Sequence, residues 1–212
     1  MVRILAVADE VDESLGRETM GSLRPDVVVS CGDLPFDHLE YLVTLANVPL
    51  LYVRGNHDPG AGPDPGGCTP LDGRAAAAAG LRFAGLGGSH RYSDGPNQYT
   101  EPQMRRRARR LARRSRVAGI DVLVTHAPPY GLGDEPTDPC HRGFEAFGDL
   151  VRRLRPALVV HGHIHPYGRA RADRAIGDTA VVNVIPYRLL EVDLDRRVGT
   201  PAGDPGVPGR RA

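Results

Sequence analysis

The 212-residue sequence contains no lysine, so arginine carries all of its permanent positive side-chain charge. Together with many alanines, glycines and prolines, this reflects genome composition rather than a mechanism. The formal net charge is only +1, which predicts neither a dedicated nucleic-acid-binding protein nor a membrane-surface protein.

Cysteine is also scarce. The three cysteines, Cys31, Cys68 and Cys140, are odd in number and have no CxxC spacing, so they suggest neither a disulfide framework nor a zinc knuckle. No apolar run has the length of a membrane span. Strand-like residues begin at Arg3, so we expect no signal peptide and a cytoplasmic location.

Apolar periodicity in the first part of the chain alternates between strand-like and helix-like segments. The predicted elements are, in order, strand Arg3–Ala8, helix Asp12–Leu23, strand Val27–Ser30, helix His38–Ala46 and strand Leu50–Arg54. This βαβαβ order predicts an α/β fold whose parallel strands end at a common crevice.

The second part begins after a Gly- and Pro-rich segment, Pro59–Gly73, that is predicted to be a loop. Further predicted elements are strand Leu81–Leu86, helix Glu101–Gly119, strand Val122–Val124, helix Gly143–Leu154, strand Ala157–His161 and an antiparallel pair, Thr179–Val184 with Arg188–Asp193. We expect one domain over residues 1–195, followed by a disordered tail over residues 196–212.

Residues of the types that commonly bind metals follow several of the apolar strands. They are Asp9, Asp33, Asn56, His126, His163 and His165. Carboxylate, amide and imidazole donors together suit manganese, iron or zinc better than calcium. Such a set at strand ends is typical of a two-metal hydrolytic site.

Apart from Asp9, these residues stand in four motifs: Gly32-Asp33, Gly55-Asn56-His57-Asp58, Thr125-His126 and Gly162-His163-Ile164-His165. The order and spacing of these motifs resemble those of the calcineurin-like metallophosphoesterases, and the resemblance covers roughly residues 1–195. The resemblance implies a four-layer αββα sandwich of two mixed sheets flanked by helices, with the metals at the carboxyl ends of the strands.

The resemblance also implies roles for the motif residues. Asp33, Asn56, His126 and His163 would bind one divalent metal, and Asp9, Asp33 and His165 the other. The implied reaction is hydrolysis of a phosphomonoester or phosphodiester by attack of a metal-bound hydroxide on phosphorus. His57 would assist the leaving group, and Asp58 would orient its ring by a hydrogen bond.

The first motif departs from the family pattern, because Asp9-Glu10-Val11 stands where Asp-x-His is usual. Valine coordinates nothing. Glu10 points away in an extended chain unless the chain turns at once, and Asp12, His38 and His90 are further substitutes. We expect either one firmly bound metal with a weak second one, or an alternative carboxylate ligand.

The substrate pocket is expected near the loop that follows His126. Asp134, His141 and His90 are the predicted pocket residues, and a small phosphoester is the expected substrate. Two alternatives stay open: a scaffold that has lost catalysis, and a nuclease whose phosphate track is the arginine-rich stretch Arg105–Arg116. The simpler interpretation of that stretch is an exposed helix face. The sequence leaves the oligomeric state open.

Overall fold

The structure is a computed structural model and describes residues 1–115, 119–167 and 172–193. The strands in these ranges are β1 Val2–Val7, β2 Val27–Ser30, β3 Leu50–Tyr52, β4 Cys68–Pro70, β5 Ala75–Ala78, β6 Leu81–Leu86, β7 Ser89–His90, β8 Gln98–Tyr99, β9 Val122–Thr125, β10 Leu158–His161, β11 Arg174–Ile176, β12 Thr179–Asn183 and β13 Tyr187–Val192. The helices are α1 Arg17–Leu23, α2 Phe36–Ala46, α3 Glu101–Ser115 and α4 Glu145–Leu154. The tail predicted over residues 196–212 lies outside the described residues.

The first sheet has the strand order β13-β1-β2-β3-β4. Strands β1 to β4 are parallel, and β13 closes one edge antiparallel to β1. Its central strands are continuous aliphatic runs, as expected where both faces of a parallel sheet are covered. Leu5 and Val7 pack beneath helices α1 and α2, whereas Ile4 and Ala6 point to the opposite face.

The second sheet has the strand order β11-β12-β10-β9-β6-β5. Its four inner strands are parallel, and the edge strands β11 and β5 are antiparallel to their neighbours. Helices α3 and α4 cover its outer face through Met104, Leu111, Phe147 and Leu150.

The two sheets pack face to face on a shared apolar core that includes Ile4, Val29, Phe83, Val124 and Val160. The layers are therefore helices, sheet, sheet and helices. The predicted four-layer αββα sandwich of two mixed sheets is confirmed.

The predicted antiparallel pairing of the last two strands is wrong. Strand β12 is parallel to β10 in the second sheet, whereas β13 pairs with β1 in the first. Residues 184–186 connect the two sheets. The apolar partner of β12 is β10 in the second sheet, and the apolar partner of β13 is β1 in the first. The antiparallel neighbour of β12 is β11, which was not predicted from the sequence.

Two local predictions also need correction. Helix α1 begins at Arg17 rather than Asp12, because the Asp12 carboxylate accepts the Ser14 N–H at 2.8 Å and forms a turn instead. The predicted loop Pro59–Gly73 contains strand β4, which adds to the edge of the first sheet, where a proline such as Pro70 is tolerated.

The fold positions the predicted ligands by strand direction. Parallel strands β1, β2, β3, β9 and β10 end at the same edge of the sandwich, so residues that follow strands of different sheets become neighbours. Across the described part of the chain, no helix combines the length and apolar character needed to cross a membrane.

Candidate metal centre

The centre of the site is a group of donor atoms from both sheets. Asp33 follows β2, His126 follows β9 and His163 follows β10, and each offers a ligand atom within 4.8 Å of the others. Nε2 of His126 lies 3.2 Å from Oδ2 of Asp33 and 3.0 Å from Oδ1 of Asn56. The structure thus brings together all four residues predicted for the complete metal site.

His126 is held by both of its ring nitrogens. Nδ1 donates to the Cys31 carbonyl at 2.8 Å, which directs Nε2 at Asp33 and Asn56. The ring is fully buried, and burial disfavours its charged form. The negative charges of Asp33 and Asp9 outweigh burial and raise the pKa of His126 to about 9. A proton on Nε2 therefore lies where a cation would be held.

His163 presents its other nitrogen to the site. Its Nε2 donates to the Cys140 carbonyl at 2.7 Å, which leaves the Nδ1 lone pair for a metal. Burial and the neighbouring charge of His126 lower the pKa of His163 to about 3. A neutral imidazole is the form that binds metals.

Tyr92 orients the amide of Asn56. The Asn56 Nδ2 donates to the Tyr92 hydroxyl at 3.0 Å, so Oδ1 is the atom that faces His126. Tyr92 was not predicted from the sequence, because it lies between β7 and β8 and belongs to no recognisable motif. Asn97, also missed, donates to the Gly55 and Asp58 carbonyls at 2.9 and 3.0 Å and fixes the loop that carries Asn56.

Backbone strain accompanies the candidate ligands. Asp9, Asp33 and His163 have φ values of 61°, 56° and 67°, in the left-handed region that non-glycine residues rarely adopt. Each such residue costs about 1–3 kcal/mol, which the surrounding contacts must offset. The bends turn these side chains across the strand ends and into the centre.

The absence of a side chain at Gly55 and Gly162 leaves space for the carboxylates of Asp33 and Asp9. A Cβ at Gly55 would collide with the Asp33 carboxylate, and one at Gly162 would collide with the Asp9 carboxylate. The glycines of the motifs are thus required by close approach of side chains, in addition to the sharp turns that the sequence suggested.

Asp58 has a different contact from the one predicted. Its Oδ2 accepts the backbone N–H groups of Asp33 and Gly55 at 2.9 and 2.8 Å. Burial raises the pKa of Asp58 in spite of these two hydrogen bonds. Among the described residues no hydrogen bond joins Asp58 to the His57 ring, so Asp58 holds the ligand loops together rather than orienting His57.

His57 lies at the solvent side of the centre. Its backbone N–H donates to Asp33 Oδ1 at 2.8 Å, and its side chain is exposed. An accessible imidazole next to a ligand is suitably placed to meet a substrate that enters from solvent.

The other end of the centre contains Asp9, Glu10 and His165. The Asp9 side chain is almost fully buried, and its Oδ2 accepts the His163 N–H at 2.9 Å. Its Oδ1 lies 3.9 Å from Nε2 of His165. Burial, partly opposed by the charge of His126, raises the pKa of Asp9 to about 6. Val11 is 47% exposed and takes no part.

Of the four substitutes considered for Val11, only Glu10 reaches the centre. Its Oε1 lies 2.8 Å from Nδ1 of His165. The Asp12 carboxylate forms the turn before α1, and His38 stacks on Tyr41 of α2. His90 Nε2 is bonded to the Gly143 carbonyl at 3.1 Å.

The three predicted pocket residues lie in different surroundings. His141 is close to the centre, with its ring 5.5 Å from that of His163 and its Nδ1 2.6 Å from Asp138. Asp134 instead accepts the Gly131 and Gly143 N–H groups and shapes the loop backbone. His90 stacks on Phe144 at 4.0 Å and serves the packing of the second sheet's outer layer.

The donor set at the centre fits a divalent transition metal. It offers one carboxylate, one amide oxygen and two imidazoles, and the three most buried of these groups are already oriented by hydrogen bonds to the protein. A cation would replace the proton of His126 and neutralise the carboxylates.

The αββα fold and these strand-end donors define the architecture of a metallophosphoesterase. A family model described as calcineurin-like phosphoesterase matches residues 4–167, and the chain belongs to that family. The predicted family is therefore confirmed.

Similar proteins are distant or match only a short segment. The UPF0046 protein T07D4.2 of Caenorhabditis elegans is 45% identical over 49 residues, 23% of this chain and 12% of that protein. The human metallophosphoesterase domain-containing protein 1 is 39% identical over 67 residues, 31% of this chain and 20% of that protein. The matched segments thus span a fifth or less of these relatives.

A solved structure shows the same fold over almost the whole chain. The crystal structure of TT1561 of Thermus thermophilus superposes with a TM-score of 0.65 and 15% identity. It covers 89% of this chain and 93% of the other. At that identity the likeness extends to the fold alone.

The buried proton of His126 makes metal binding depend on pH. At pH 7 we expect Mn²⁺ binding to release about one proton, because His126, with a pKa of about 9, must lose its proton to become a ligand. Proton release should vanish above about pH 10, where His126 is already neutral. Below about pH 9 the affinity for Mn²⁺ should fall about tenfold for each pH unit. Calorimetric titrations in two buffers of different ionisation enthalpy measure this, and an enthalpy independent of buffer at pH 7 would contradict it.

The close approach at Gly162 is tested by adding one methyl group. Gly162→Ala should lower Mn²⁺ affinity about tenfold or more, because the new Cβ displaces the Asp9 carboxylate and crowds Ala8 at 2.6 Å. Gly21→Ala is the matched control: it has open space in helix α1 and should raise the free energy of unfolding by about 0.5–1 kcal/mol. Calorimetry and urea unfolding check the pair. Unchanged affinity in Gly162→Ala would show that Asp9 is not positioned by this contact.

Proposed function

We propose that this chain is a metal-dependent phosphoesterase. The observation that carries the proposal is the convergence of Asp33, Asn56, His126 and His163 at one buried point beside an exposed histidine. Membership of the calcineurin-like family supports metal-dependent phosphoester hydrolysis as the class of reaction.

Asp33, Asn56, His126 and His163 would hold one divalent metal, with Asp9, Asp33 and His165 around a second position. When bound, the metal supplies Lewis acidity at phosphorus-bound oxygen and lowers the pKa of water. The protein's own contribution is a preorganised cradle, since hydrogen bonds to Cys31, Cys140 and Tyr92 fix the ligand side chains.

His57 is the proposed general acid. During hydrolysis the oxygen of water forms a bond to phosphorus and releases a proton to solvent, the bond from phosphorus to the ester oxygen breaks, and a proton on His57 moves to that oxygen. His57 then regains a proton from solvent. The Asp33 carboxylate accepts the His57 backbone N–H at 2.8 Å, which sets the ring beside the centre while its side chain remains accessible to a substrate.

The activity test uses Mn²⁺-loaded protein with bis-4-nitrophenyl phosphate and 4-nitrophenyl phosphate. Asp33→Ala should abolish turnover, and His57→Ala should lower kcat by about 10²–10⁴. The loss in His57→Ala should grow with an alkyl ester, because a poorer leaving group depends more on protonation. His38→Ala is the histidine-to-alanine control on helix α2 and should keep full activity.

Turnover that survives both Asp33→Ala and His57→Ala would overturn the assignment. Absence of turnover in the wild type over a broad panel of phosphoesters, with Mn²⁺ bound, would favour a scaffold that has kept the centre without using it.

Nucleic acid is the second candidate substrate, because of the charge on helix α3. The helix carries seven arginines and one glutamate in a chain of net charge +1. Arg105 pairs with Glu101 and Glu145, and Arg107 with Asp72. The remaining five, which make no ion pair with any described residue, are exposed: Arg106, Arg109, Arg110, Arg113 and Arg114.

This candidate predicts salt-dependent binding of a single-stranded oligonucleotide. Log affinity should fall with log salt with a slope of about −2 to −3, as for three or four phosphate contacts. The Arg106→Gln/Arg113→Gln variant should reduce the magnitude of the slope by about 1.4, since each phosphate contact contributes about 0.7. Arg17→Gln/Arg74→Gln, which removes two exposed arginines elsewhere, should leave the slope unchanged. Fluorescence anisotropy at roughly 50 and 200 mM salt measures both. Equally weak oligonucleotide binding by the wild type and both double variants would exclude the arginines of helix α3 as a phosphate-binding track.

A further inference from the structure

Glu10 reaches the centre because the chain turns directly after strand β1. Asp9 has a φ of 61°, and the Glu10 N–H donates to the Ala8 carbonyl at 2.6 Å. This tight turn rotates the next side chain, so Glu10 faces the site and Val11 faces solvent. The extended geometry, which would pair Asp9 with Val11, does not occur.

Glu10 and Asp9 contact opposite sides of the same imidazole. Oε1 of Glu10 lies 2.8 Å from Nδ1 of His165, whereas Oδ1 of Asp9 lies 3.9 Å from Nε2. A carboxylate is only an acceptor at neutral pH, so the proton of a neutral His165 ring belongs on Nδ1. The lone pair is then on Nε2, the nitrogen that faces Asp9.

We propose that Glu10 is a positioning residue that keeps His165 in the Nδ1–H tautomer, with Nε2 directed at Asp9. By this means Asp9, Asp33 and His165 bind a second divalent cation although Val11 contributes no ligand. The proposal rests on the proposed function, since it concerns the second cation of the same centre.

The geometry separates this role from direct ligation by Glu10. Nε2 and Asp9, which would hold the cation, lie on the side of the ring opposite the nitrogen that Glu10 contacts. Carboxylates that accept the other N–H of a ligating histidine fix its orientation and raise its basicity, and their loss typically lowers metal affinity roughly 10–100-fold.

The first test needs no metal. In the ¹⁵N-labelled full chain, long-range ¹H–¹⁵N spectra of the imidazoles report which nitrogen of His165 carries the proton. We expect the Nδ1–H form in the wild type and in Glu10→Gln, whose amide oxygen can still accept the hydrogen bond from Nδ1–H. In Glu10→Ala the Nε2–H form should become populated. Glu13→Ala, an exposed glutamate nearby, is the control and should match the wild type.

The second test counts cations. Mn²⁺ titration followed by calorimetry and by electron paramagnetic resonance should show two binding events in the wild type, with spin coupling when both are filled. Glu10→Ala should weaken the second event roughly 10–100-fold and leave the first unchanged, whereas Glu10→Gln should stay within about threefold.

Each outcome decides between the alternatives. A His165 tautomer that does not respond to Glu10→Ala overturns the positioning role. Loss of the second cation in Glu10→Gln as large as in Glu10→Ala overturns it in favour of a carboxylate ligand. A wild type that binds no Mn²⁺ at all overturns the proposed function and with it the second cation, whereas the tautomer measurement still reports on Glu10 alone.

Discussion

The buried imidazole of His126 joins the two sheets at the edge where the candidate centre lies. It follows a strand of the second sheet, yet Nδ1 donates to the Cys31 carbonyl of the first, and Nε2 faces Asn56 and Asp33. The His126 carbonyl in turn accepts the Gly162 N–H at 3.0 Å. A buried polar group without a partner costs about 1–3 kcal/mol, so the sheets must keep this register for the ring to be satisfied. The same contacts that close the sandwich therefore aim the donors at one point.

The strained backbone at the strand ends is the cost of that convergence, and the side chains of the candidate ligands help to offset it. Asp33 Oδ1 accepts the His57 N–H, and Asp9 Oδ2 accepts the His163 N–H. Each carboxylate thus fixes the backbone of a neighbouring loop with one oxygen while its other oxygen faces the centre. The Asp58 carboxylate accepts two more backbone N–H groups, those of Asp33 and Gly55. Preorganisation of this kind places charge-bearing groups before any cation binds and needs no rearrangement on binding.

Sequence patterns could predict the strands and the residues that follow them, because buried parallel strands are continuous apolar runs and their ends carry the polar motifs. They could not predict where Glu10 points, because nothing in the letters Asp-Glu-Val reveals the positive φ of Asp9. Tyr92 and Asn97 were missed for a related reason: they act from the β7–β8 region through one and two hydrogen bonds respectively, and such contacts leave no periodic signal in the sequence. Strands β12 and β13 look like a hairpin locally, and only the apolar faces of two different sheets decide that they separate.

The two ends of the centre differ in their access to water, and this decides where a missing ligand is tolerated. At the inner end His126 is fully buried and His163 nearly so, and there the protein compensates the carboxylates with a proton on His126. At the outer end the side chains of His165 and Glu10 are 34% and 50% exposed. Water can complete a cation's coordination there, as it does at open catalytic metal sites. The departure at Val11 falls at the outer end, so what that end needs from the protein is the correct orientation of His165 rather than one more ligand.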